Sequence, residues 1–192
     1  MKRRVSLLAI AILLALLTHA LPGAAQKAAE PNPSEATSAL LISGDGFSFM
    51  VQEPPGWTGD TDRARQYGVS VVFFPSAAAS KAADVTIRVR VDEKAHENLA
   101  EDLKADLNGL RQRYPEMKSD ELDVKHPAYA TFPKLFYQPG SFFEYVAYLN
   151  PGPQFPFSLA VAMSKAKSAA SPGELAAFEN VVKSIVVLSG AQ

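Results

Sequence analysis

The sequence predicts an α+β fold in which an antiparallel β-sheet is covered by helices. Three observations predict it. Apolar residues recur at helical spacing in two separate stretches, Leu99 to Tyr114 and Leu175 to Ile185. Elsewhere they alternate with polar residues over short runs, most cleanly where Val85, Ile87, Val89 and Val91 oppose Thr86, Arg88 and Arg90. Proline and glycine punctuate the strand-rich part at Pro127, Pro133, Pro139-Gly140 and Pro151-Gly152-Pro153, which implies antiparallel hairpins.

The first 25 residues read as a secretory signal peptide. Lys2, Arg3 and Arg4 form a positive start, Val5 to Leu17 an apolar run, and Leu21-Pro22-Gly23-Ala24-Ala25 a small-residue cleavage site. An apolar run of about 13 residues falls short of the roughly 20 that cross a bilayer core. The expectation is cleavage near Ala25, a periplasmic or secreted location, and no stable membrane insertion afterwards. Residues 26–38, rich in Ala, Pro, Glu and Ser with no apolar period, read as a disordered tether. A single domain is expected over residues 39–189.

Within it, Phe47, Phe49 and Val51 alternate with Ser48 and Met50, predicting a strand that Pro54-Pro55-Gly56-Trp57 ends. Thr58 to Gly68 is polar, with room for a short helical turn. Strands follow at Val69 to Phe74 and Asp84 to Val91, separated by the loop Ser76 to Ala83. The helix from about Ala95 to Arg113 carries Leu99, Leu103, Leu107, Leu110 and Tyr114 on one stripe, and Pro115 stops it. Strands are predicted at Lys118 to Val124, Ala128 to Thr131, Lys134 to Gln138, Phe142 to Asn150 and Phe155 to Met163. Phe157, Leu159, Val161 and Met163 share one face of the last of these. Ser158, Ala160 and Ala162 share the other, a small-residue face expected to seat the final helix closely. Ser171-Pro172-Gly173-Glu174 opens that helix with a cap hydroxyl, a proline at the first position and a Glu three residues after the cap. Val69 to Phe74 and Phe142 to Leu149 lack clean alternation and are expected to be central strands, buried on both faces.

Composition excludes several function classes. The chain has 19 basic and 20 acidic residues, and the three basic residues of the leader leave the remainder acidic. Nucleic-acid binding needs the opposite balance. Without cysteine there is no lipid-anchor thiol, no thiolate catalysis and no cysteine metal site.

Phe47-Ser48-Phe49 leading into Pro54-Pro55-Gly56-Trp57, a long helix after a strand, the aromatic hairpins, and the closing Phe178-Glu179-Asn180-Val181-Val182-Lys183-Ser184-Ile185 together resemble the PsbP/Mog1-like superfamily. The resemblance spans roughly Leu40 to Leu188. It implies an α/β/α sandwich and an accessory, assembly or binding protein rather than an enzyme, and no metal or partner residue carries over from it.

Few residues offer chemistry. His96 and His126 stand far apart, so no His-rich metal site is expected. His96 falls near the start of a helix, where an exposed polar residue is ordinary. His126 precedes Pro127 beside Asp120, Glu121 and Asp123; it reads as a turn residue or as the centre of an envelope hydrolase or metal-dependent enzyme. Gly59-Asp60-Thr61-Asp62 begins like a calcium loop but lacks its third acid, its glycine and its final glutamate. No Gly-x-Ser-x-Gly elbow or phosphate loop occurs.

Ten of the 18 aromatic residues fall between Tyr129 and Phe157, more than a hairpin surface ordinarily shows. Most belong in a core, but some of Tyr129, Phe132, Tyr137, Phe142 and Tyr148, with Trp57 nearby in the turn, are candidates to line a cleft or a protein-binding face. Arg88 and Arg90 would give such a cleft an anion-binding rim. The sequence therefore points to an exported non-enzymatic module that uses no cofactor and engages an envelope protein or a small apolar ligand.

Overall fold

Gly44-Asp45-Gly46, with Gly46 at φ +75°, turns the chain back so that β1 (Ala39–Gly44) pairs with β2 (Phe47–Gln52). The structure, a computed structural model, describes residues 38–78, 83–95 and 99–188. The signal peptide, the tether up to residue 37 and His96 lie outside the described residues. Ten strands and three α-helices follow one another in two sheets among the described residues.

The larger sheet has seven strands, every neighbouring pair antiparallel, in the order β3-β4-β5-β9-β8-β7-β6. These are β3 (Trp57–Asp60), β4 (Val71–Pro75), β5 (Val85–Glu93), β6 (Lys118–Glu121), β7 (Ala130–Gln138), β8 (Phe142–Asn150) and β9 (Phe157–Ala166). The chain leaves the middle of this sheet at β5, crosses its face as α2 (Leu99–Arg113), and returns from the far edge through the meander β6 to β9. A short helix α1 (Thr61–Gln66) joins β3 to β4, and α3 (Pro172–Ser184) leads from β9 to β10 (Val186–Leu188), which pairs with β2 in a three-stranded sheet.

Alternation along the central strands divides the core in two. Val85, Ile87 and Val89 of β5, Leu159, Val161 and Met163 of β9 and Tyr145, Ala147 and Leu149 of β8 point to one face, where Phe49 and Val51 of β2 and Phe178, Val181 and Val182 of α3 bury them. On the opposite face Phe136, Val146, Tyr148 and Ala160 receive Leu99 and Leu103 of α2. Helices thus lie on both sides of the sheet, the α+β sandwich that the two amphipathic stripes predicted. Leu103 and Phe178, the anchors of those stripes, are both buried. The two sheets meet closely at Gly59, where a Cβ would stand 2.4 Å from Leu40 Cδ1 and 2.9 Å from Phe73 Cε1.

Several elements differ from the sequence expectations. Trp57–Asp60 is a short edge strand, and Asp60 caps α1 by accepting from the Arg63 amide at 2.7 Å, so the carboxylate read as the start of a calcium loop has a capping role. The two strands expected around Pro133 are one. Pro133 pairs with Ala147 of β8 beyond the last residue pair of β6, Glu121 with Lys134, so the ring interrupts no pairing on that flank. The strand expected from Lys118 to Val124 stops at Glu121. Strand β4 stands second from the edge rather than at the centre; Val72 and Phe74 are nevertheless buried because α1 covers them, with the Arg63 guanidinium 5.0 Å from the Phe74 ring centre. The small-residue face of β9 also faces α2, not the final helix, which packs on the Leu159 and Val161 side.

Candidate functional site

Cross-strand register assembles the α2 side of the sheet row by row. One row reads Arg90, Ala160, Tyr148, Phe132 across β5, β9, β8 and β7; the next reads Arg88, Ala162, Val146, Lys134; the third reads Thr86, Ser164, Glu144, Phe136. Arginine therefore stands on β5, aromatic rings on β8 and β7, and two alanines separate them. Helix α1 covers one end of this face over β4 and α2 covers the aromatic end. Between the two helices the alanines lack the volume to fill the gap.

The result is a cleft of about 480 Å³, within the usual range for small-molecule sites. Its floor is Arg88, Arg90, Ala160 and Ala162; Gly109, Leu110 and Arg113 of α2 form one wall and the Tyr67-Gly68-Val69 turn the other. A second hollow of about 310 Å³ continues from it past Leu110, Phe136 and Glu144 to Tyr114, Met117 and Phe142, where the Tyr114 and Phe142 rings lie 5.1 Å apart. The groove is thus cationic at one end and aromatic at the other.

Charges at the cationic end are partly matched. Arg88 Nη2 lies 3.3 Å from Glu144 Oε1 and also contacts Ser164 Oγ, while its buried Nε has no hydrogen-bond partner among the described residues. Arg90 Nε donates to Asp92 at 2.8 Å. Arg113 is exposed and forms no ion pair among the described residues.

The candidate residues from sequence divide between this groove and other places. Arg88, Arg90 and Tyr148 line the cleft, Phe142 lines its extension, and Phe132 packs into the same aromatic cluster. Trp57 packs instead against the core between the two sheets. Tyr137 stacks on Phe143 with ring centres 5.7 Å apart, and its hydroxyl donates to Asp120, which raises the phenol pKa above its ordinary value. Tyr129 stacks on His126 at 4.2 Å and accepts a hydrogen bond from the Val187 amide. Glu144, Tyr67, Gly109 and Arg113 escaped the sequence reading. Of the cleft's floor, Arg88 and Arg90 are legible in the sequence as an anion-binding rim, whereas the small residues Ala160 and Ala162 read as a seat for the final helix.

His126 is structural in its contacts. Its Nε2 donates to the Ile185 carbonyl at 2.8 Å, and Nδ1 accepts from the Ala128 and Tyr129 amides, each at 3.0 Å. Both ring nitrogens are thereby engaged by backbone in the neutral form. Burial lowers its pKa, opposed by the Ile185 carbonyl. The nearby carboxylates do not converge on the ring: Glu121 pairs with Lys134 and Asp123 with Lys125. Among the described residues no group of three or more acidic or histidine side chains is placed to hold a metal.

No family model and no curated protein matches the chain. Among solved structures it is similar to the solution structure of cyanobacterial PsbP (CyanoP) from Synechocystis sp. PCC 6803, at 15% identity and a TM-score of 0.48, covering 83% of this chain and 98% of that one. No helix among the described residues is long and apolar enough to cross a membrane.

Proposed function

We propose that this chain is an exported, non-enzymatic binding module whose site is the groove between α1 and α2. The observation that carries this reading is the alanine strip: Ala160 and Ala162 sit between an arginine strand and an aromatic strand and keep the floor open. A polar, arginine-lined cleft that continues into an apolar hollow offers a ligand both convergent polar groups and apolar surface, the two components of a small-ligand site. His126, on which the hydrolase or metal-enzyme alternative is centred, is held by backbone on both nitrogens, which leaves neither nitrogen free for that chemistry. An envelope location rests on the leader and its small-residue cleavage site; mass spectrometry of protein from an exporting host should find an N-terminus near Gln26, and an intact Met1 start would count against export with cleavage.

The groove is tested with N-phenyl-1-naphthylamine, an uncharged dye that brightens in apolar sites. Wild-type protein should enhance its emission saturably. Ala162→Phe, which fills the floor, should abolish the enhancement, while Tyr137→Leu, on the opposite face of the sheet, should leave it intact. Equal enhancement by Ala162→Phe and wild type would place the dye elsewhere and remove the groove as the site.

A further inference from the structure

We infer that the natural ligand is an amphiphile bearing one carboxylate, with its head at the arginines and its apolar body against the α2 aromatics. This deepens the proposed function and rests on it. The two ends of the groove differ in chemistry along its length, so an occupant polar at one end and apolar at the other matches both, whereas a uniformly apolar ligand would desolvate arginine without return.

Charge selects the head. Arg88, Arg90 and Arg113 face one lining carboxylate, Glu144, and Asp92 takes up Arg90. Among the described residues that line or pair at this end, one positive charge remains, the complement of a monoanion. Geometry selects its kind. A guanidinium presents a planar fork that fits a carboxylate through two parallel hydrogen bonds. Arg88 makes both of its side-chain contacts through Nη2 alone, and Nη1 has no acceptor among the described residues. Glu144 therefore occupies part of a fork with a single oxygen, and it acts as an internal competitor for the incoming carboxylate.

The competitor makes the proposal testable in both directions. Titration calorimetry of the full chain uses dodecanoate, dodecanol and dodecyl phosphate, which share one alkyl body. Dodecanoate should bind about tenfold more tightly than dodecanol, the size of one charge-assisted contact. Arg113→Gln, which breaks no ion pair among the described residues, should reduce that preference about threefold to tenfold, and Glu144→Gln should raise dodecanoate affinity several-fold without changing dodecanol. Circular dichroism confirms that each variant is folded. Should Glu144→Gln unfold, the Arg113→Gln comparison decides alone. Equal binding of acid and alcohol overturns the carboxylate while leaving the groove as a site. Tighter binding of the phosphate overturns the choice of carboxylate. If neither alkyl probe nor the naphthylamine dye binds, the groove reading and this inference fall together.

Discussion

His126 and Tyr129 form a clamp in which each residue holds the end of the chain through a different atom. The imidazole bonds the Ile185 carbonyl, the phenol accepts from Val187, and the stacked rings hold one another in place. Among the described residues strand β10 has β2 as its one strand neighbour, so these bonds secure a short edge that three residue pairs alone would hold weakly. His126→Ala leaves the Ala128 and Tyr129 amides and the Ile185 carbonyl without their partner and should cost about 1–3 kcal/mol, read as a lower urea midpoint. The same residue sets a pH dependence. Its folded pKa lies below the ordinary 6.5, so between those values the unfolded chain binds more protons than the folded one. Stability should therefore fall as pH drops from about 6.5, and the fall should shrink in His126→Gln. Further down, Glu174 adds to the loss. Burial alone would raise its pKa, but hydrogen bonds from Lys165 and Ser171 outweigh burial and hold it below the ordinary 4.5, so its contribution disappears as pH falls below that value.

The helices were legible because their signals are local. Ser171 and Glu174 form the reciprocal cap that their spacing predicted, the hydroxyl accepting from the Glu174 amide at 3.3 Å and the carboxylate from the Ser171 amide at 2.6 Å. Ser171→Ala should cost about 1 kcal/mol. Glu174 also meets Lys165 of β9 at 2.6 Å, and both side chains are mostly buried, so Glu174→Ala should cost more than loss of a cap alone. In α2, Gly109 is a helix-interior glycine whose added Cβ would meet nothing within 4 Å. Gly109→Ala should stabilise the protein by up to about 1 kcal/mol, since alanine is the better helix former. Its methyl would narrow the groove slightly, so a small loss of dye affinity alongside a higher melting temperature is the expected pair of results. Strands β1 and β10 were not legible, because Leu41 and Val186 break the alternation by exposing apolar side chains on the outer face of the small sheet.

At the scale of the whole molecule, the layered architecture is legible from periodicity, while the groove is legible only in part, through its arginines and some of its aromatic rings. The α2 and α3 stripes each require an apolar surface to cover, and alternation in β5 and β9 supplies two such faces. Which helix covers which face depends on strand order, and order arises from the long crossover between β5 and β6, which no local pattern encodes. That is why Ala160 and Ala162 were assigned to the wrong helix. The groove likewise depends on register between strands distant in sequence: Arg88 and Glu144 are 56 residues apart yet touch. Aromatic density marked the region but not the side, since Tyr137 and Tyr129 bury their rings for packing as readily as Tyr148 lines a cleft. The position of Trp57 has a practical consequence. It is the single tryptophan of the chain and belongs to the layer opposite the groove. Excited near 295 nm, its emission should track loss of the native state under denaturant while staying silent when the groove fills, because the indole is screened from an occupant by the full thickness of the sheet. A titration that shifts that emission would signal that an occupant reaches through the strands and rearranges the other layer.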